Sequence, residues 1–129
     1  MILRFFISFL VLCLLFANTS CAMTNDIQAD PVFAQWSAVL KANKKITISA
    51  VAIPTITSIK VDSCMLQERN GSVWQDYISL PPPSYISNTN VYSVTVDYSS
   101  TISSGTFRIV VTLNANGYTK DIYSNAKTF

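Results

Sequence analysis

Two stretches of the chain alternate between apolar and polar residues with a period of two. Residues 91–98 put Tyr92, Val94, Val96 and Tyr98 on one side and Ser93, Thr95 and Asp97 on the other. Residues 106–113 repeat the pattern, with Phe107, Ile109, Val111 and Leu113 opposed to Arg108, Val110 and Thr112. Successive side chains of an extended chain point to opposite faces, so this period predicts strands with one buried side. In residues 45–53 Ile46, Ile48 and Ala50 share a face against Thr47, Ser49 and Val51, and Pro54 then stops the pairing because it has no N–H.

All three glycines, Gly71, Gly105 and Gly117, sit at predicted reversals, where positive backbone angles are needed. Asn116-Gly117 predicts a hairpin returning over residues 118–125. A central hairpin is predicted over residues 57–79, reversing at Arg69-Asn70-Gly71-Ser72. On a straight strand Ile59, Val61 and Met65 project one way and Cys64 and Leu66 the other, with Trp74 covering one of these faces. Residues 32–41 carry Phe33, Trp36, Val39 and Leu40 at spacings that also suit a helical turn; they are read as a first strand. Residues 80–85, with Pro81, Pro82 and Pro83, form a stiff connector crossing between two sheets. About seven strands and no convincing helix predict an all-β antiparallel sandwich of immunoglobulin or fibronectin type III style, with a small β-barrel as the alternative.

Residues 1–22 read as a signal peptide. Arg4 supplies the positive start, and the apolar run over residues 5–17 falls short of the roughly 20 residues a membrane span needs. Ser20-Cys21-Ala22 offers small residues for cleavage after Ala22. The rival processing lipidates Cys21 as the first residue of a surface lipoprotein, although Asn18 stands where an aliphatic residue is usual. Residues 23–32 are then a flexible lead and residues 33–129 the sandwich domain. Removing 22 of 129 residues leaves 107, enough for one core. Loss of Arg4 leaves eight basic against seven acidic residues, a balance that indicates neither nucleic acid nor an acidic membrane surface. Cys64, alone on its strand, reads as a small buried hydrophobe.

The sequence has no histidine. Ser-His-Asp and Cys-His catalysis and nearly all zinc arrangements are therefore excluded, and no phosphate-binding glycine motif is present. The acids are scattered singly. Asp62 and Glu68 lie about 20 Å apart on a straight strand, while Asp62 and Asp76 can approach across the hairpin but read as solvated charges. The expectation is no enzyme, no cofactor and no metal. Binding is the remaining chemistry: aromatic rings laid on a sheet stack on sugars, and Tyr85 and Tyr118 are the two expected to be exposed for ligand contact.

Leu66-Gln67, then Asn70-Gly71-Ser72 with Trp74, then Phe107-Arg108-Ile109-Val110-Val111, and finally Tyr123-Ser124 resemble the motifs of a group of small uncharacterised exported proteins of Gram-positive bacteria. The resemblance covers about residues 45–124 and implies an immunoglobulin-like or fibronectin-III-like sandwich with no assigned activity. No functional residue is carried over by it. The chain departs from antibody-type domains in lacking a pair of cysteines to bridge the sheets, and Phe107 stands near where a corner tyrosine is sought. The functional expectation is an exported, non-enzymatic protein acting by surface contacts on a protein or glycan at the cell surface. Its alternatives are a carbohydrate-binding module and a lipid-anchored lipoprotein.

Overall fold

Eight antiparallel strands form two sheets in a computed structural model that describes residues 30–129. They are β1 (Phe33–Leu40), β2 (Lys45–Ala52), β3 (Ile59–Asn70), β4 (Val73–Leu80), β5 (Val91–Asp97), β6 (Thr106–Ala115), β7 (Tyr118–Tyr123) and the short β8 (Lys127–Thr128). One sheet has the order β1-β2-β5. The other has the order β4-β3-β6-β7, with β8 pairing the start of β6. The predicted signal peptide, Cys21 and the first part of the predicted lead lie outside the described residues.

The alternating strands bury the faces expected of them. Ile46, Ile48 and Ala50 of β2 meet Phe107, Ile109, Val111 and Leu113 of β6 in one core, each nearly or wholly removed from solvent. The larger of these side chains, all but Ala50, contribute roughly 1.5–3 kcal/mol each when fully buried. Within residues 32–41, Phe33–Leu40 form a strand, not a helical turn. Trp36 lies opposite Ala50 and packs at the rim of the core.

The central hairpin departs from the straight-strand expectation in two ways. The register slips between Val61 and Ser63, a β-bulge that inserts one residue and reverses the facing of everything after it. Cys64 and Leu66 therefore follow Ile59 and Val61 into the core, and Met65 turns outward. The turn is also displaced by one residue. Asn70 pairs with Val73, so the loop is Gly71-Ser72, with Gly71 at φ 66°. At the β6–β7 turn the expected pair holds: Asn116 and Gly117 both have positive φ, as a two-residue hairpin of the primed type requires.

Residues 81–90 cross from the four-stranded path to β5 and close one side of the sandwich. Two buried phenols of the β5 side reach across to this connector. Tyr98 Oη donates to the Pro81 carbonyl at 2.7 Å and Tyr92 Oη to the Tyr85 carbonyl at 3.1 Å. These bonds allow two hydroxyls to lie in an apolar interior, where an unpartnered one is costly. Burial pushes the Tyr92 phenol up to about 12, with the nearby Cys64 and Tyr85 acting in the same direction. Burial likewise raises Tyr98, with Cys64 adding to the effect, and raises the Cys64 thiol against an opposing hydrogen bond with Tyr98.

Side chains cap the open edges of the three-stranded sheet. Asn125 accepts the Leu40 N–H at 2.8 Å and donates to the Leu40 carbonyl at 3.0 Å, standing in for a neighbouring strand. At the other edge the Val91 carbonyl accepts from Ser87 Oγ at 2.6 Å and Thr89 Oγ1 at 3.1 Å. Such capping reduces the pairing surface that an open strand offers to another chain.

Candidate functional site

The outer face of the four-stranded path gathers one long side chain from each of its strands. Gln67 of β3 and Arg108 of β6 are cross-strand partners and point outward, since their neighbours Leu66, Phe107 and Ile109 point in. Trp74 of β4 lies opposite Arg69, and Tyr123 of β7 lies opposite Val110. The displaced turn sets this arrangement. A loop centred on Asn70-Gly71 pairs Arg69 with Ser72 and places Trp74 opposite Gln67; the Gly71-Ser72 loop moves Trp74 back to Arg69 and sets Asp76 opposite Gln67.

The centre of the group is the Arg108 guanidinium. Its central carbon lies 4.6 Å from the Trp74 ring centroid and 4.7 Å from that of Tyr123. Its Nε donates to Gln67 Oε1 at 2.7 Å, and the same Gln67 amide donates through Nε2 to Asp76 Oδ1 at 2.9 Å. Arg69 adds a second cation 5.9 Å from the Trp74 centroid, and its Nε donates to the Gly71 carbonyl at 3.1 Å. A cation within about 6 Å of an aromatic centroid is attracted by the ring's quadrupole. Two rings, a hydrogen bond and a half-buried setting thus hold Arg108 in one orientation.

Among the described residues the ion pair of this face is Lys60 with Asp62, at 3.8 Å. Among the described residues neither Arg69 nor Arg108 has a carboxylate within that reach. Gln67 stands between Arg108 and Asp76, bonded to both. Asp62 accepts from Asn114 Nδ2 at 2.9 Å, and Asp121 accepts from Thr112 Oγ1 at 2.6 Å. Asp62 and Asp76 are engaged by different partners rather than facing each other across the hairpin. Among the described residues no three acids or cysteines gather where they could hold a metal.

Tyr85 and Tyr118 are both exposed, and each is seated against another ring. Tyr85 lies 5.4 Å from Tyr92, and Tyr118 lies 6.2 Å from Phe33. These contacts place them beside β5 and β1, opposite edges of the three-stranded sheet, and do not bring them together. The group around Arg108 was not singled out from the sequence as a site. Its members lie in the short motifs already quoted, and alternation makes Arg108 outward; the missing information is which distant residues lie beside it.

No protein-family model matches the chain, and no curated protein matches it. Among solved structures it is similar to one described as a Fn3-like protein from Clostridium thermocellum. That likeness has 16% identity and a TM-score of 0.33, and covers 76% of this chain and 88% of that one. The strand pairing itself defines the class. The fourth strand pairs with the third, rather than joining the sheet of the first two as it does in a constant-type immunoglobulin domain. The protein is an antiparallel β-sandwich of immunoglobulin/fibronectin-III style, open at its sheet edges and not a closed barrel.

Proposed function

We propose that this is an exported, non-enzymatic binding protein whose contact surface is the outer face of β4-β3-β6-β7. The observation that carries the reading is the Arg108 guanidinium held between Trp74 and Tyr123. Trp, Tyr and Arg are the side chains that dominate binding energy at protein surfaces. Here they are ordered before any partner arrives, which lowers the entropy lost on association. The absence of histidine and the separate engagement of the acids support a surface that contacts rather than reacts. Export rests on the leader pattern of residues 1–22, with secretion after Ala22 and attachment through Cys21 as its two forms; intact mass of the native protein separates them.

The test is retention on isolated cell envelopes of the producing organism. Trp74→Ala is expected to weaken retention by about tenfold or more, the scale of a single hot-spot truncation. Thr47→Ala combined with Thr95→Ala, on the opposite sheet, is expected to leave it unchanged. Equal retention of all three proteins would remove the reading.

A further inference from the structure

The chemistry of the Arg108 group also narrows the ligand, on the reading that this face is the contact surface. Trp74 already carries two guanidinium groups at 4.6 and 5.9 Å, and Tyr123 carries one at 4.7 Å. Ring surface engaged by cations is poorly placed to stack on a neutral sugar. What the patch presents instead is the arginines' own donors. Arg108 uses Nε for Gln67 and Arg69 uses Nε for Gly71, and among the described residues their terminal nitrogens have no acceptor. A planar fork of this kind fits an oxyanion through two parallel hydrogen bonds.

Asp76 distinguishes between kinds of anion. Its Oδ1 accepts from Gln67, which leaves the carboxylate with further acceptor capacity on the far side of that amide from Arg108. A dense polyanion meets repulsion there. A sugar acid meets less, because it carries one charge per residue, and its hydroxyl donors near the carboxylate match an acceptor that lies one side chain away from the cation. We propose that the patch of Arg69, Trp74, Asp76 and Arg108 binds an acidic saccharide, with its carboxylate on the guanidinium groups and a hydroxyl donating to Asp76.

The experiment uses the full chain as processed by an exporting host. Its probes are oligosaccharides of galacturonate, glucuronate and sialate, the methyl esters of the same compounds, and inorganic polyphosphate. At least one free acid is expected to bind, and esterification is expected to weaken it about tenfold or more, the scale of losing a charged hydrogen-bonded contact. Arg108→Lys, which keeps the charge and removes the fork, is expected to lose about tenfold with the melting temperature nearly unchanged. Gln67→Glu offers Arg108 an internal carboxylate and is expected to lose binding while remaining folded. Esters binding as well as acids, polyphosphate binding more tightly than any sugar acid, or no saccharide binding would each overturn the inference. Those three results leave the face itself standing if Trp74→Ala still lowers envelope retention; undiminished retention removes both.

Discussion

The two sheets of this sandwich are alike on their inner faces and unlike on their outer ones. Across the outside of β1-β2-β5 run three cross-strand rows: Gln35, Val51 and Val91; Ser37, Ser49 and Ser93; Val39, Thr47 and Thr95. None of the nine is charged or aromatic, and the Thr47 and Thr95 hydroxyls bond to each other at 3.0 Å. Short side chains of this kind satisfy a pleated surface locally, between adjacent strands. The outside of β4-β3-β6-β7 is built from long side chains that reach beyond their nearest neighbours, so that Trp74 of β4 meets Arg108 of β6, two strands away. The difference teaches that a strand's inward positions are constrained by the core, while its outward positions are free to carry recognition.

The comparison breaks first if the inner faces are not equivalent. Ile48→Ala under the three-stranded sheet and Ile109→Ala under the four-stranded path each empty a fully buried site. Each is expected to cost about 2–5 kcal/mol in denaturant unfolding. A loss much below that range on one side alone would mean that the two sheets do not share a single core.

Alkaline pH probes the seam where β5 meets the connector. The Tyr92 phenol is held up to about 12 in the folded protein, against roughly 10 in an unfolded chain. Because the folded-state value is the raised one, the unfolded chain releases its proton first. The stability contributed by this group is whole below pH 10 and falls as pH rises towards 12. The loss is expected to be roughly 2–3 kcal/mol from Tyr92 alone, with the raised Tyr98 and Cys64 acting in the same sense. Tyr92→Phe is expected to be less stable at neutral pH, having lost its bond to Tyr85, yet to unfold with a shallower pH dependence over that window.

Smaller effects sharpen the contrast between the outer faces. Trp74→Ala removes ring contacts with Arg69 and Arg108 on a half-buried site and is expected to cost about 1 kcal/mol of stability. Paired Thr47→Ala and Thr95→Ala substitutions lose a partly exposed hydroxyl bond and are expected to change stability by less than about 1 kcal/mol. Thermal melts of both proteins check these values. Comparable losses would mean that the ordered arginine group contributes no more to its sheet than a threonine pair does.

Much of the architecture was legible in the residues because burial imposes a period of two. Tyr92 and Tyr98, Phe107 to Leu113, and the Asn116-Gly117 turn are where alternation and turn chemistry put them. The central hairpin was only partly legible. Alternation assigned Met65 to the face of Ile59 and Val61, whereas the bulge after Val61 sends it outward and brings Cys64 in. A bulge leaves little local mark, since it is stabilised by what packs on either side of it. The exposed tyrosines could be named in advance, but the arginine between two rings could not, because Gln67, Trp74, Arg108 and Tyr123 are up to 56 positions apart (123 minus 67).

What the sequence by itself determined is the kind of molecule: strands, their reversals, a shared apolar interior and a chain without histidine chemistry. Those follow from local geometry and from residue types that no fold can alter. Only the tertiary structure decided the register of β3 against β4 and β6, and with it which outward side chains became neighbours. Register depends on one turn and two bulges, one after Val61 in the pairing with β6 and one after Leu66 in the pairing with β4, each settled by the packing of the whole sandwich. A shift of one residue in the loop moves Trp74 along its partner strand and changes the surroundings of Arg108.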